Sequence, residues 1–178
     1  MAAEPILIQA LSDLIAEFNR RGVAYALAGG WAYSALVEPR ATTAIDLLIL
    51  LDQPSRDTLQ SLVSPLFDST VIHPAPMVFR GLSIWRIVGI RRGQEILVDL
   101  LLADSEYLRT ALGRARTVIF GSAPVPVLAI EDLIVLKTLA SRLQDRADLE
   151  KIHMREADLH IDWTYVEKWK AVLGLPDV

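Results

Sequence analysis

Two aspartates interrupt stretches of sequence that are otherwise apolar. Asp46 lies within residues 44–51 and Asp99 within residues 96–102. Both stretches predict buried strands, where a charge without a partner would cost several kcal/mol. A nearby Arg or Lys, or a divalent metal, would compensate the charge, and carboxylate ligands favour Mg²⁺ or Mn²⁺ over zinc. The alternative is structural: each aspartate forms an ion pair or faces water at the end of its strand.

A pair of glycines precedes the first of these stretches. Gly29 and Gly30 follow a short apolar segment, residues 23–28, and precede a helical turn or short helix predicted for residues 31–37. Backbone N–H groups at a strand-to-helix junction can approach a phosphate, and the helix dipole favours an anion there. A turn that needs a positive φ angle would explain the two glycines equally well.

A cation and a hydroxyl group lie shortly before Asp46. The guanidinium group of Arg40 suits a two-point contact with a phosphate, and Thr42 is a weaker candidate for the same ligand. The alternative is that Arg40 pairs with Asp46 or with Glu38.

Further charged residues lie in the C-terminal third of the chain. Lys137 falls on or beside the apolar stripe of a helix predicted for residues 130–143, so its ammonium group needs an anion. If that helix ran on, Lys137, Ser141, Asp145 and Asp148 would lie on one face. The alternative is that Lys137 extends its ammonium group to solvent beside a solvated run of Arg and Asp that includes Arg142.

Other polar residues carry less information. Arg86, Arg91 and Arg92 are expected in a solvated hairpin tip, with contact to a polyanionic acceptor as the alternative. The three histidines have no spacing typical of metal ligands, so we expect them to be exposed or locally hydrogen-bonded.

The elements that must position these residues follow from hydrophobic periodicity and from capping signals. Helices are predicted for residues 5–21, 55–67, 104–115, 130–143, 145–155 and 162–173, and strands for residues 23–28, 44–51, 82–91, 95–102 and 117–120. This order predicts an α/β (α+β) fold with a mixed sheet flanked by helices. We expect a core of residues 1–125 and a C-terminal helical segment of residues 126–178, packed together as one compact unit.

Composition excludes several classes of protein. The chain has 178 residues, of which 52% are hydrophobic and 22% charged, and this is typical of a globular protein. The absence of cysteine excludes a disulfide framework, a thiolate zinc site and a cysteine nucleophile, and it favours a cytoplasmic protein. The sequence predicts neither a targeting signal nor a membrane span. A net charge of −4 means that a nucleic-acid partner would need a local basic patch.

Taken together, these residues resemble the nucleotidyltransferase superfamily of the DNA polymerase β type, in particular its minimal, AbiEii/MenT-like branch. The resemblance covers residues 23–150 and rests on Gly29-Gly30, on the pattern Arg-x-Thr-x-(Asp)-Ile-Asp at residues 40–46, and on Lys-x-x-Ala-x-Arg at residues 137–142. It implies Mg²⁺- or Mn²⁺-dependent transfer of a nucleoside monophosphate from an NTP to an acceptor hydroxyl, with release of pyrophosphate. It also implies a role in toxin–antitoxin or phage-defence systems, with a cognate antitoxin as a possible partner.

The resemblance assigns roles to individual residues. Asp46 and Asp99 would hold metal ions, and Asp99 would help to deprotonate the acceptor hydroxyl. The predicted nucleotide-binding residues are Gly29, Gly30, Arg40, Thr42, Lys137, Arg142 and Asp145. Lys137 is also counted among the catalytic residues, since it would contact the triphosphate.

Position 44 departs from the family pattern. Ala44 stands where the first metal-binding aspartate is expected, so we expect this chain to be impaired. Either an active enzyme has been disabled by an introduced Asp→Ala substitution, or Ala44 belongs to a natural variant with altered function. The alternative from another class is a non-catalytic nucleotide-binding or regulatory interaction protein on the same fold. The acidic net charge favours a small molecule or a protein as acceptor, whereas the AbiEii/MenT likeness favours tRNA or another RNA.

Overall fold

A mixed sheet flanked by helices forms the body of the molecule in the computed structural model, which describes residues 5–177. The helices are α1 (Ile6–Arg21), α2 (Gly29–Leu36), α3 (Arg56–Val63), α4 (Glu106–Gly113), α5 (Ile130–Ala140), α6 (Leu143–Met154), α7 (Glu156–Leu159) and α8 (Trp163–Leu173). The strands are β1 (Ala24–Leu27), β2 (Ala44–Leu50), β3 (Ser69–Ile72), β4 (Met77–Phe79), β5 (Leu82–Arg91), β6 (Gln94–Leu102), β7 (Arg116–Phe120) and β8 (Ala123–Val127). The predicted fold class is confirmed.

The strand order places β2 and β6 at the centre of the sheet. The order is β3-β5-β6-β2-β1-β8-β7, and β4 pairs with the same edge of β5 as β3 does. The pairs β2–β6 and β1–β8 are parallel and the other pairs are antiparallel. Ile45, Leu47, Leu48 and Ile49 are fully buried, so β2 is covered on both faces as its continuous apolar sequence predicts.

Several boundaries follow directly from local sequence signals. Helix α1 buries an apolar stripe that includes Leu11, Leu14 and Phe18, and it ends where Gly22 adopts a left-handed conformation at φ 66°. Helix α4 begins after Ser105, whose side chain accepts a hydrogen bond from the N–H of Leu108. The helix predicted for residues 55–67 is shorter, because Pro65 forces its end into one turn of 3₁₀ helix at Ser64–Leu66.

Three strands are not among the predicted ones. Strands β3 and β4 have four and three residues, which is too short for a periodic pattern, and both lie on the edge of β5. Strand β8 contains Pro124 and Pro126, which lack the N–H donor that a strand normally supplies. The predicted division at residues 125 and 126 lies within β8, and the division itself stays a prediction.

A buried carboxylate joins the C-terminal helices to the rest of the molecule. Asp132 of α5 is fully buried and accepts hydrogen bonds from the hydroxyl groups of Tyr107 on α4, at 3.2 Å, and Tyr165 on α8, at 2.6 Å. Arg114 donates to its other oxygen at 3.3 Å. A charged group without such partners would be costly to bury, so these contacts fix how α8 lies against α4 and α5.

A second buried carboxylate joins α5, α6 and the segment before β2. Asp148 of α6 accepts hydrogen bonds from Lys137 of α5 at 2.6 Å, from Arg40 at 2.6 Å and from Gln144 at 2.9 Å. Helix α5 does not continue into α6, because Ser141 adopts a left-handed conformation at φ 52°. The prediction of one continuous face is therefore wrong for Ser141, although Lys137, Asp145 and Asp148 still meet across the bend.

No helix within residues 5–177 combines the length and the hydropathy that a bilayer-crossing segment needs. Residues 1–4 and 178 are not described, and the prediction that no targeting signal is present rests partly on those first residues.

The Asp148 contacts predict a large stability effect. Asp148→Asn should lower the free energy of unfolding by about 3 kcal/mol, since Lys137 stays buried without its nearest anion. Burial raises the pKa of Asp148, but the hydrogen bonds from Lys137 and Gln144 outweigh it and lower the pKa. The difference between wild type and variant should therefore be full at neutral pH and shrink as the pH falls below about 4.

Urea denaturation at several pH values measures this effect. Asp158→Asn on α7 is the matched control, because Asp158 is exposed and its substitution should change stability by less than about 0.5 kcal/mol. Equal stability of the two variants at pH 7 would contradict the role given to Asp148.

Candidate active site

Three charged residues form one row across neighbouring strands of the sheet. Asp46 on β2 is the register partner of Asp99 on the parallel strand β6, and Asp99 is the register partner of Arg86 on β5. Register partners project from the same face of a sheet, and neighbouring strands lie about 4.8 Å apart. Two carboxylates and a guanidinium group therefore stand side by side.

Arg86 neutralises one of the two carboxylates. Its Nε and Nη2 atoms donate to the two oxygens of Asp99 at 2.9 and 2.8 Å. The expectation that Arg86 belongs to a solvated hairpin tip is wrong, because Arg86 lies in the middle of β5, six residues before the turn at Arg92 and Gly93. The two-point contact fixes the orientation of Asp99.

Asp46 has no such neutralising partner. Burial, and secondly the negative charge of Asp99, raise the pKa of Asp46 from 3.8 to about 6, although the positive charges of Arg142, Lys137 and Arg86 act in the opposite direction. Its side chain accepts no hydrogen bond from the described residues. A carboxylate in this position is suited to receive either a cation or a proton from a ligand.

The first glycine of the pair is required by its contact with Asp46. Gly29 has a φ of +53°, and a Cβ atom at this position would lie 2.5 Å from Oδ2 of Asp46. Gly29 is also the first residue of α2. Ala28, the N-cap residue before it, offers no side-chain cap, so the first N–H groups of the helix are open to an anion. The turn with a positive φ angle is therefore confirmed for Gly29, whereas the approach of its N–H groups to a phosphate stays a prediction.

These residues lie in a cleft of about 420 Å³ between the sheet and helix α5. Its charged lining residues are Asp46, Arg86, Asp99, Lys137, Arg142 and Asp145. Gly29 also lines the cleft. The structure thus brings together chemistry-bearing residues that come from widely separated segments of the chain.

The cations from the C-terminal helices are held by Asp145. Its Oδ1 accepts a hydrogen bond from Lys137 at 3.4 Å, and its Oδ2 accepts from Nε of Arg142 at 2.7 Å. Lys137 is buried, whereas the side chain of Arg142 is 72% exposed and can move toward a ligand. Lys137 extends to buried anions and not to solvent, so the solvated alternative is wrong for this residue.

Gly30, Arg40 and Thr42 do not line this cleft. Arg40 and Thr42 instead pack close to Gly30, because a Cβ on Gly30 would lie 2.9 Å from both the Arg40 guanidinium and the Thr42 hydroxyl. Arg40 pairs with Asp148 and not with Asp46 or Glu38, so that alternative is wrong. Direct contact of these three residues with a phosphate stays a prediction.

Asp46 is the carboxylate of the cleft that is open to a divalent cation. Asp46 offers free oxygens, and Mg²⁺ is commonly held by one or two carboxylates together with substrate phosphates. Within residues 5–177, no cluster of three or more His, Cys, Asp or Glu side chains could hold a metal ion. Asp46 and Asp99 therefore fit a divalent cation only where a bound ligand supplies further oxygens, and the binding of Mg²⁺ or Mn²⁺ stays a prediction.

Arg86 is the site residue whose role sequence reasoning missed. Its signal was available, because Arg86 is the only charged residue between Leu82 and Ile90, the same pattern that identified Asp46 and Asp99. What the sequence does not contain is the register that places Arg86 opposite Asp99.

The raised pKa of Asp46 predicts that the protein becomes more stable when this carboxylate is replaced by a neutral side chain. Asp46→Asn should raise the free energy of unfolding at pH 7.5 by about 1–3 kcal/mol, because a shift from 3.8 to about 6 makes the ionised form costly in the folded state. The gain should disappear below about pH 4, where Asp46 is protonated in both the folded and the unfolded chain. Urea denaturation across this pH range measures it.

Asp99→Asn is the matched control for this measurement. It loses the two-point contact with Arg86 and should give no comparable gain. A loss of stability in Asp46→Asn at pH 7.5 would show that Asp46 has a stabilising partner.

Comparisons with known proteins bear on the fold. No protein-family model matches the chain. No curated protein matches it in a sequence search. Similarity is found among solved structures.

An antigenic nucleotidyltransferase-like protein from Paracoccidioides brasiliensis is 22% identical, with a TM-score of 0.56 over 82% of this chain and 74% of that one. The structure of ANT(2″)-Ia in complex with adenylyl-2″-tobramycin is 13% identical, with a TM-score of 0.60 over 95% of this chain and 97% of that one. The lincosamide antibiotic adenylyltransferase LnuA with lincomycin bound is 12% identical, with a TM-score of 0.50 over 82% of this chain and 95% of that one. At these identities the likeness shows the fold: the chain has the mixed α/β architecture of nucleotidyltransferases.

Proposed function

We propose that this protein binds a nucleoside triphosphate and transfers its nucleoside monophosphate to an acceptor hydroxyl, with low activity in the chain as it stands. The observation that carries the proposal is the pairing of Asp46 with Asp99 in a cleft that is also lined by Gly29 and by the cations Arg86, Lys137 and Arg142. The assignment to the AbiEii/MenT-like branch and a toxin–antitoxin role remain predictions from the sequence.

The phosphates of the nucleotide would lie on the side of the cleft next to Asp46. There the open N-terminus of α2 begins at Gly29. Arg142 and Lys137 lie close enough to Asp46 for their positive charges to oppose the rise in its pKa. Helix N-termini and guanidinium groups are the usual partners of phosphates. A Mg²⁺ ion held by Asp46 and Asp99 would neutralise phosphate oxygens when bound.

The transfer step uses the carboxylate pair. The acceptor oxygen forms a bond to the α-phosphorus, the bond from that phosphorus to the oxygen bridging to the β-phosphate breaks, and pyrophosphate leaves. The hydroxyl proton passes to the Asp46–Asp99 pair, in which the pKa of Asp46 is raised to about 6. Arg142 and Lys137 supply positive charge where the leaving group develops negative charge.

A specific observation favours a second candidate, a non-catalytic nucleotide-binding or regulatory protein. Ala44 lacks the carboxylate that would stand beside Asp46 on the same face of β2, and Asp99 is already paired with Arg86. Both features weaken cation binding and leave the phosphate-binding groups intact. Binding without transfer is the result that would identify this candidate.

Nucleotide binding is expected to depend little on Mg²⁺. Wild-type protein should bind ATP with an affinity that changes less than about tenfold when Mg²⁺ is removed, because N–H groups and Arg142 need no metal. Gly29→Ala should weaken binding, since its Cβ would overlap Asp46. Calorimetric titration measures both, and no binding at millimolar ATP would contradict this part of the proposal.

Ala44→Asp should raise the rate of nucleotidyl transfer. Residues 44 and 46 point to the same face of β2, so the new carboxylate would stand beside Asp46. One preorganised electrostatic group is worth about 10²–10³ in rate. The measurement is label transfer from each NTP, with Mg²⁺, to small hydroxyl compounds, protein extract and total RNA.

Ala41→Asp is the matched control for the expected rise in the transfer rate. It adds the same charge at an exposed alanine of the same segment, outside the cleft, and should leave the rate unchanged. Asp46→Asn in the Ala44→Asp background should abolish transfer. Silence of a folded Ala44→Asp variant on every acceptor would favour the non-catalytic candidate.

A further inference from the structure

The sheet face that carries the three charged residues becomes apolar two residues further along each strand. Ile84 on β5 is the register partner of Leu101 on β6, directly beside the pair Arg86 and Asp99. Met77 on β4 is in turn the partner of Ile84. A polar row and apolar rows thus share one continuous surface of the cleft.

We name these side chains, with the helix residue Leu136 opposite them, the apolar wall: Met77, Leu82, Ile84, Leu101 and Leu136, all of which line the cleft. The charged lining residues form one connected cluster, since Asp46 interacts with Asp99, Arg142, Lys137 and Arg86, and Asp145 contacts Lys137 and Arg142. The lining residues outside that cluster are all apolar. Charge and apolar surface are therefore separated within the one cleft.

Asp99 lies between the two parts of the cleft that a nucleotide and an acceptor would use. Gly29, α2 and Asp46 lie on one side of Asp99, whereas β5, with Arg86 and Ile84, and then β4 lie on the other. A nucleotide whose phosphates lie at Gly29 places its α-phosphorus near the carboxylate pair. The molecule that attacks this phosphorus must come from the other side, where the apolar wall is.

We propose that the apolar wall binds the acceptor, and that the acceptor is an uncharged, largely apolar small molecule with a hydroxyl group. This inference rests on the proposed function and specifies its substrate class. The hydroxyl would lie at Asp99 and the carbon skeleton over Ile84 and Leu101. A cleft of about 420 Å³ is within the range that holds small organic ligands.

The same wall disfavours two other acceptor classes. It offers no carboxylate to a polycationic aminosugar, and burying unpaired ammonium groups against Leu and Ile is costly. It offers no row of cations to RNA, since the Arg and Lys residues that line the cleft belong to the charged cluster. A nucleobase could also contact apolar side chains, but Phe79 is the only aromatic ring among the lining residues available for stacking.

Met77 offers a direct test with a matched control. Met77 on β4 lines the cleft and is the register partner of Ile84, whereas Val71 on β3 is 70% exposed and does not line the cleft. Both residues lie on short strands that pair with the same edge of β5, and urea denaturation checks that both aspartate variants are folded. The probe is 2-naphthol, an apolar and fluorescent alcohol, followed by equilibrium dialysis.

We expect 2-naphthol to bind to wild-type protein and to Val71→Asp with equal affinity, and to Met77→Asp about tenfold more weakly. ATP should not displace it, and ATP affinity should be equal in both variants. In the Ala44→Asp background, label from [α-³²P]ATP should reach 2-naphthol in preference to tobramycin or total RNA.

Several outcomes would overturn the inference. Equal binding of 2-naphthol to the two aspartate variants, its displacement by ATP, or preferred labelling of tobramycin or RNA would each show that the wall does not hold an apolar acceptor. Retained 2-naphthol binding with no transfer from ATP would instead refute the proposed function, and with it the role of the bound alcohol as acceptor. The binding and transfer measurements therefore separate the two failures.

Discussion

The parallel pairing of β2 with β6 is the constraint on which the site depends. Its register places Asp46 beside Asp99 on two neighbouring central strands of the sheet. There the two negative charges repel one another and are poorly solvated. The remaining charges of the cleft compensate this arrangement. Arg86 takes one carboxylate as a direct partner, while Arg142 and Lys137 act on the other through space.

The cations of the cleft are themselves held by buried anions. Asp145 and Asp148 anchor Lys137, and Asp148 also holds Arg40 behind the glycine pair. The helices after residue 130 therefore contribute to the site through charge, while Asp132 fixes them by hydrogen bonds to α4 and α8. A nucleotide would meet positive charge whose position is already set by the folded chain, so little reorganisation is needed on binding.

Sequence reasoning found the residues that break an apolar pattern, and it failed where the answer lay in register. Asp46 and Asp99 were identifiable because a lone carboxylate in a buried strand needs a partner. Gly29 was identifiable because it lies at a predicted strand-to-helix junction. Arg86 could not be assigned to Asp99, nor Arg40 to Asp148, since these contacts join residues 13 and 108 positions apart. Strand β8 was hidden by its two prolines, and the bend at Ser141 by a residue type that rarely adopts a positive φ angle.

The placement of β4 at the edge of the sheet separates the selectivity of the cleft for a ligand from the geometry of its charged residues. This strand has three residues, pairs only with β5, and carries none of the charged side chains. Its side chains can be exchanged, or its loop lengthened, without moving the strands that hold the carboxylates. Selectivity for a ligand can therefore diverge rapidly on this scaffold while the reacting groups keep their geometry, and the edge strand is where an engineer would begin to change it.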